Sequence, residues 1–578
     1  MAPESVVPTP RPSAVKRFRY RAAGWWGDRT LGQMFLDNAT RHPERTAVVD
    51  APNRAQIAFG EPRRLSYAQL RAEVDRLAAA LLDLGIGKGA IVLVQMPNIS
   101  ELVALYFACA RVGAIVSPLP VQYRAHELAQ IVEILRPQAF VCCTQVKGCE
   151  HTNVARPLLD PACHLLTFGP APASAREDLS LAEGDARKLN SYCRRLKQNA
   201  DDIFTICWTS GTTGAPKGVP RSHNHWVAIA PATYQPAALR DGDVLLNPFP
   251  MINMASIGGV TMSWLRTAGV MVLHHPFDAS VYLQQIASER PAFTIAPPAI
   301  LNMLLKDEAL LQRVDLSSLR TIGSGSAPLA PAMVRGFQER FGIRIINLFG
   351  SNEGMSLVSG ADDVPDPDER ASYFPRAALF RTPYGGKPKR HLETRLISPA
   401  TGRRIVKPGL AGELEIRGPS IFEGYFRAPE QTRSAFTRDG FFRTGDLFEI
   451  AGGGRFYRFA GRCKDLIIRG GYNVSPEEID QLLGGHPQLA EACAFGLPDP
   501  TLGERIGVAI VPKSGETVGL AEVADFLKAR GLAQFKLPER VYVFDALPRN
   551  ALNKVLRTEV LARALEMDAR AQTLAPQV

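Results

Sequence analysis

The run Thr209-Ser210-Gly211-Thr212-Thr213-Gly214-Ala215-Pro216-Lys217-Gly218 gathers hydroxyls, glycines and one lysine into a single short stretch. Glycine lets the backbone approach an anion closely and turn its N–H groups toward it. The serine and the threonines add hydroxyl donors, and Lys217 adds a mobile positive charge. The apolar residues Ile203-Phe204-Thr205-Ile206-Cys207-Trp208 just before it read as a buried strand. A strand feeding such a loop is suited to holding polyphosphate. It is not a G-x-x-x-x-G-K-[ST] loop, because the lysine follows Ala215-Pro216 and precedes Gly218.

The same run resembles the T-S-G-T-T-G-x-P-K-G signature of the adenylate-forming superfamily, which comprises acyl-CoA synthetases, stand-alone adenylation domains and luciferases. Further motifs follow in that family's order, so the resemblance extends from about Trp25 to Leu565. It implies that Thr209, Ser210, Gly211, Thr212, Thr213, Gly214 and Lys217 hold the phosphates of ATP, with Thr209 among the catalytic residues. Gly325-Ser326-Ala327-Pro328 is similar to the adenine-side loop, where small residues let a flat purine lie against the backbone. Asn347-Leu348-Phe349-Gly350-Ser351-Asn352-Glu353-Gly354 resembles N-x-Y-G-x-[TS]-E. Phe349, beside Gly350, would stack on adenine, and Glu353 would hold Mg²⁺, a hard cation that prefers carboxylate oxygen. This chain departs from that pattern in two places. Phe349 lacks the usual tyrosine hydroxyl, and Asn352 replaces threonine while keeping a donor for the α-phosphate.

Phe442-Arg443-Thr444-Gly445-Asp446 resembles the segment whose aspartate grips ribose, since a carboxylate accepts from both ribose hydroxyls. Gly461-Arg462-Cys463-Lys464-Asp465 would add Arg462 as a second ribose or phosphate contact and Lys464 as the hinge. Gly470 and Gly471 would leave a narrow path for the pantetheine arm of CoA. Pro548-Arg549-Asn550-Ala551-Leu552-Asn553-Lys554 is similar to P-[RK]-x-x-x-G-K, which makes Lys554 the catalytic, nucleotide-contacting lysine. Asn553 stands where glycine is usual, and asparagine is among the residues that tolerate left-handed backbone. The acid pocket would involve Trp226, Asn253, Met254, Gly323 and Met355, with Asn253 as its polar group.

The resemblance implies a reaction in two halves. A carboxylate attacks the α-phosphate of ATP and pyrophosphate leaves. The acyl adenylate then passes its acyl group to a thiol and AMP leaves. ATP, Mg²⁺ and CoA are the implied cofactors, and a cyclic or medium-chain carboxylic acid is the implied substrate. Two alternatives stand beside this acid–CoA ligase. One is an activator that loads a carrier protein, suggested by the likeness of Tyr20 to Arg29 to aryl-acid ligases. The other is a non-catalytic nucleotide-binding homologue, against which Lys217, Glu353, Asp446, Arg462 and Lys554 occur together.

The whole chain has to position these groups. Its 578 residues exceed one hydrophobic core. The +10 net charge suits polyanionic ATP and CoA, and it equally suits general solubility. Arginines are scattered and no nucleic-acid motif occurs. Nine cysteines without C-x-x-C read as reduced thiols in a cytoplasmic protein. Cys142, Cys143, Cys149 and Cys163, with His151 and His164, fit no standard zinc spacing. No membrane span is expected, because Arg111, Gly113 and Pro118 interrupt the stretch Leu102 to Leu119. Oligomeric state is left open, a homo-oligomer included.

Ser66 with Gln69 predicts a capping box, and Leu70, Val74, Leu77, Leu81 and Leu84 follow at helical spacing up to Gly85. Ile91 to Val94 reads as a strand buried on both faces, and Ile115-Val116 as the start of the next. Asn98 with Glu101 predicts the cap of the helix between them. This βαβ rhythm predicts an α/β fold of mostly parallel sheets flanked by helices, with a small mobile α+β C-terminal domain. The expected divisions are a flexible segment 1–20, an AMP-binding domain 21–463 and a C-terminal domain 464–578. The polar stretch Ala173 to Asp202 reads as a surface connection.

Overall fold

The computed structural model describes residues 9–170, 177–179, 182–210, 216–307, 314–354, 356–376, 392–469, 472–499, 503–530, 532, 534–550 and 553–574. Two compact units emerge, one of Met1–Thr394 with Ile416–Phe442 and one of Arg395–Glu415 with Arg443–Val578.

The first unit is built on two mostly parallel sheets. One runs in the order Glu177–Asp178, His164–Phe168, Ala139–Cys143, Ile91–Gln95, Ile115–Pro118, Ile203–Ser210, Pro216–Ser222, with only the last pair antiparallel. The other runs Ser356–Ser359, Arg344–Gly350, Thr321–Gly325, Phe293–Ile295, Val244–Asn247, Val270–Leu273, Thr46–Val49, Arg64–Ser66. Its six inner strands are parallel, and each edge strand is antiparallel to its neighbour. All of Ile91–Gln95 is buried, as a strand covered on both faces must be. The helix Tyr67–Asp83 begins with the expected Ser66–Gln69 capping box and buries Leu70, Val74, Leu77 and Leu81. It ends in a Schellman arrangement around Gly85 at φ +78°. There the Gly85 N–H donates to Leu82 O at 3.0 Å and the Ile86 N–H donates to Leu81 O at 2.8 Å.

In the second unit, the strands Tyr472–Val474, Ile467–Arg469, Gly503–Pro512 and Leu489–Asp499 form one antiparallel sheet, with Arg540–Val543 parallel to Gly503–Pro512. Ile479, Leu483, Val523 and Leu527 from the helices Pro476–Leu483 and Leu520–Ala529 pack on one side of it. Val560 and Ala564 of the helix Arg557–Leu574 pack with Phe495 and Tyr542 in a separate core. The fold is thus α/β with a small α+β unit. Among the described residues no helix is long and apolar enough to cross a membrane.

Three expectations change. Asn98 does not cap a helix. The helix Ser100–Val112 starts from Ile99 without a side-chain cap, and its first N–H donates to Asp50 Oδ1 at 2.7 Å instead. Asn98 is buried and serves the neighbouring sheet, donating to Phe249 O at 2.7 Å and accepting from the Met251 N–H at 3.0 Å. The N-terminal lead-in holds a helix, Ala14–Ala22, capped by Ser13. That helix is pinned by Lys16 on Glu423 at 2.7 Å and by Tyr20 packed edge-on against Trp26. The stretch read as surface connection contains the helix Ala186–Arg195, capped by Asp185. Its Leu189 is buried, and the Tyr192 hydroxyl donates to Val112 O at 3.0 Å. Both helices are rich in basic residues and mostly exposed, so in the sequence they read as solvated chain.

Candidate active site

The glycine-rich run joins two antiparallel strands and does not lead into a helix. Thr209 pairs with Lys217 and Ser210 with Pro216 at the loop end of this hairpin. Gly211, Thr212, Thr213 and Gly214 lie outside the described residues, as does the side chain of Ser210. A Cβ on Gly218 would come within 3.1 Å of Ile206 in the paired strand and of Phe426 beyond the hairpin, so the missing side chain lets both pack close. The Lys217 ammonium sits 5.0 Å from the centre of the Tyr425 ring, a cation–π contact.

Tyr425 also reaches the acidic residue. Its hydroxyl donates to Glu353 Oε1 at 3.1 Å, and both side chains are nearly buried. Burial, and after it the Glu353 charge, push the Tyr425 phenol far up, so it stays a donor at any physiological pH. The segment around Glu353 is clamped. The Phe422 N–H donates to Glu353 O at 2.8 Å, and the Ser420 hydroxyl donates to Gly354 O at 2.9 Å. Gly354 has φ +101°, and a Cβ there would stand 1.8 Å from Ser420 O.

Behind this segment lies Arg221, whose guanidinium is fully buried. Its Nη1 donates to Asn352 O at 2.9 Å, its Nη2 donates to His225 O at 3.1 Å, and its plane covers Trp226 at 4.4 Å. Among the described residues Arg221 Nε has no partner, and burial pushes the guanidinium pKa down to about 10. The Asn352 side chain is engaged by main chain on both sides. Its Nδ2 donates to Trp208 O at 3.0 Å, and its Oδ1 accepts the Met254 N–H at 2.9 Å.

The adenine-side and acid-side residues cluster at the C-terminal ends of the second sheet's strands, the usual ligand edge of a parallel sheet. Gly325 ends one strand beside Leu348 of the next, and a Cβ on it would lie 2.0 Å from Leu348 O. Ser326, at φ +69°, and Ala327 are exposed just beyond. Phe349 is half-buried, edge-on to Phe374 at 5.9 Å, and Gly350 beside it is exposed. Asn253 follows the strand Val244–Asn247 and caps the π-helix Met254–Thr261, accepting from the Ser256 N–H at 3.2 Å. Trp226 is fully buried, with Nε1 donating to Thr205 Oγ1 at 2.9 Å, and it packs under that helix, 3.3 Å from where a Cβ on Gly258 would sit. A Cβ on Gly323 would be 2.9 Å from the Leu348 side chain. Met355 lies outside the described residues.

Within the second unit, Arg462 Nε donates to Asp446 Oδ1 at 2.8 Å, so the two ribose candidates are adjacent. Lys464 sits in the 3-10 turn Cys463–Asp465, while Gly470 and Gly471 lie outside the described residues. Lys554 is exposed on a loop that closes on itself. The Lys554 N–H donates to Asn550 Oδ1 at 2.9 Å, and the Asn550 N–H donates to Lys554 O at 2.9 Å. Asn553 takes φ +62°, the left-handed conformation expected of the residue replacing glycine.

Tyr425 and Arg221 are the residues that sequence reasoning missed. Arg221 carried a signal, a second basic residue in the strand Pro216–Ser222 four positions after Lys217. Tyr425 carried none, because its partner Glu353 is 72 residues away.

Comparison with known proteins agrees with this arrangement. The AMP-binding enzyme family matches residues 35–426, and the AMP-binding enzyme C-terminal domain matches 478–554. Triostin synthetase I of Streptomyces triostinicus is 34% identical over 94% of this chain and 96% of its own. Indoleacetate–CoA ligase of Aromatoleum aromaticum is 32% identical over 88% of this chain and 95% of its own. The ATP-bound crystal structure of MatB from Rhodopseudomonas palustris superposes with a TM-score of 0.75 at 26% identity, covering 93% of this chain and 99% of that one. With matched segments over most of its length and an adenylate-forming signature in the hairpin, this chain belongs to the AMP-binding enzyme family, the adenylate-forming enzymes that include acyl- and aryl-acid CoA ligases.

Proposed function

We propose that this enzyme activates a ring-bearing or medium-chain carboxylic acid as its acyl adenylate and transfers the acyl group to CoA. The observation that carries the reading is the placement of Lys217 and Glu353 on the same tyrosine. A phosphate-binding cation and an isolated carboxylate share Tyr425, beside a hairpin rich in hydroxyls and glycine. The adenylation half needs no nucleophilic side chain. It needs carboxylate and α-phosphate aligned, and donors aimed at the charge that develops. Thr209, Lys217 and the hairpin backbone would hold the phosphates, Asp446 and Arg462 the ribose, and Phe349 with Gly325, Ser326 and Ala327 the adenine. Lys554 would bridge carboxylate and phosphate.

Glu353 suits Mg²⁺. Among the described residues no cluster of three or more acidic, histidine or cysteine ligands forms, and a single carboxylate completed by substrate phosphates is a common way of binding this ion. Bound there, Mg²⁺ would neutralise phosphate charge. For the second half-reaction, domain 464–578 would turn about Lys464 relative to 21–463, withdraw Lys554 and bring Gly470 and Gly471 to the thiol.

Met251, Ile252, Met254 and Ile257 make the pocket segment apolar. The Asn253 carbonyl is committed to its helix, which leaves the Nδ2 of that side chain as the polar group for a substrate. Acetate forgoes about 0.8 kcal/mol for each CH₂ it fails to bury, so acids with a ring or a medium chain should outrank it. A second reading, loading of a carrier-protein thiol, is supported by the likeness of Tyr20 to Arg29 to aryl-acid ligases. Pyrophosphate release measured over acetate, benzoate, salicylate, cyclohexanecarboxylate, octanoate and palmitate, then thioester formation with CoA or a carrier protein, tests both. Acetate or palmitate as the best substrate would overturn the acid assignment. Thioester on the carrier and none on CoA would replace the acceptor.

A further inference from the structure

We infer that Asn352 is a positioning residue that ties the phosphate hairpin to the acid pocket, and that its departure from threonine sets how tightly the acid is held. The side chain bridges two places the reaction must align. On one side it holds Trp208 O, the residue before Thr209. On the other it holds the N–H of Met254, the residue after Asn253. One partner is an acceptor and the other a donor, so the orientation of the carboxamide is fixed. A threonine hydroxyl, one atom on a shorter stem, does not span both.

The bridge is anchored from behind. Arg221 donates to the Asn352 carbonyl at 2.9 Å from a fully buried position, with the indole of Trp226 beneath it. Burying a charge that finds no carboxylate is costly and is kept where the rest of the structure fixes it in place. Here it fixes the main chain between Ser351 and Glu353. The Asn352 amide is already bound to main chain on both sides, so its structural role is to hold Met254 at a set distance from the hairpin. The carboxylate in the pocket is thereby aligned with the phosphate that it attacks, and misplacement of about 1 Å in such an arrangement costs roughly 100-fold.

This inference rests on the adenylation reading, and the test separates the two. Steady-state pyrophosphate release is measured for the wild type, Asn352→Thr and Arg221→Met, with whichever of benzoate, salicylate, cyclohexanecarboxylate or octanoate the wild type uses best. KM is determined for acid and for ATP. Asn352→Thr restores the family's phosphate-donating residue while removing the bridge. The expected result is a fall in kcat/KM for the acid of roughly 10–100-fold, seen mainly as a raised acid KM, with the KM for ATP within about twofold of wild type. Arg221→Met should show the same split, and its unchanged ATP KM would report an intact nucleotide site. Three results overturn the inference: a threonine variant that matches wild type for both substrates, a loss confined to ATP, or an equal loss on both. Wild-type protein that releases no pyrophosphate with any acid would overturn the functional reading itself.

Discussion

Tyr425→Phe removes one oxygen and leaves the ring. The ring keeps its place under Lys217, where the ammonium stands 5.0 Å from the centroid, so the cation–π contact survives. What is lost is the hydroxyl that donates to Glu353 Oε1 at 3.1 Å between side chains that are 7% and 8% exposed. A hydrogen bond to a charged group contributes about 1.5–3 kcal/mol. At about 1.4 kcal/mol per factor of ten, that is a loss of roughly 10–100-fold in kcat/KM for adenylation if the bond holds the carboxylate for reaction. The assay is pyrophosphate release with the Mg²⁺ concentration varied at fixed ATP and acid. The loss should be partly recovered at high Mg²⁺, because a less constrained carboxylate still binds the ion once enough is present. Tyr425→Leu should lose more, since removing the ring also removes the Lys217 contact. A phenylalanine variant with wild-type kcat/KM at every Mg²⁺ concentration would refute the reasoning. So would a leucine variant no worse than the phenylalanine.

Other perturbations reach different parts of the account. Gly354→Ala places a methyl 1.8 Å from Ser420 O at φ +101°, so a lowered melting temperature is expected together with at least tenfold slower adenylation, an effect of about 1.4 kcal/mol or more; a variant as stable and active as wild type would contradict the clamp on Glu353. His223 is buried with Nδ1 accepting the Leu31 N–H at 3.2 Å, which requires a neutral ring, and burial pushes its pKa down from 6.5 to about 4. The unfolded chain therefore binds the extra proton first, and stability from this site is full above pH 6.5 and falls as the pH drops toward 4. Burial pushes Asp480 up and acts in the opposite sense, so the comparison is with His223→Gln. The urea midpoint of the wild type should fall more steeply than that of the variant between pH 7 and 5, and parallel curves would contradict this. Lys554→Ala should slow adenylate formation by roughly 10²–10³-fold, the scale of one lost transition-state donor, and spare thioester formation from supplied acyl adenylate; equal loss in both halves would contradict the domain-rotation proposal.

Local signals carried much of the fold. The Ser66–Gln69 cap, the helical spacing of Leu70 to Leu81 and the turn at Gly85 lie within one helix, and each appears as read. Ile91 to Val94 was legible because a doubly covered strand is apolar at every position. Asn98 misled because its local context imitates a cap, while its real partners are about 150 residues away, as with Phe249 and Met251. The helices Ala14–Ala22 and Ala186–Arg195 were missed because each is rich in basic residues and buries a single side chain, Tyr20 and Leu189 respectively, so each reads as solvated chain. At the candidate site, motif order marked Lys217, Glu353, Asp446 and Lys554. It did not mark the supports. Tyr425 on Glu353 and Arg221 behind Asn352 are contacts between segments 72 and 131 residues apart. Asn352 was legible as a departure from threonine, but its bond to Trp208 spans 144 residues, beyond any window of periodicity.

The most direct test of the central claim is acid-dependent exchange of radiolabelled pyrophosphate into ATP. The exchange runs the first half-reaction forward and back and needs neither CoA nor a carrier protein. Wild-type protein with ATP, Mg²⁺ and benzoate, salicylate, cyclohexanecarboxylate or octanoate should incorporate label with at least one acid and none without acid, and Lys554→Ala should suppress it. Label that enters ATP equally with and without acid, or with none of these acids, would contradict the assignment of this site to carboxylate adenylation.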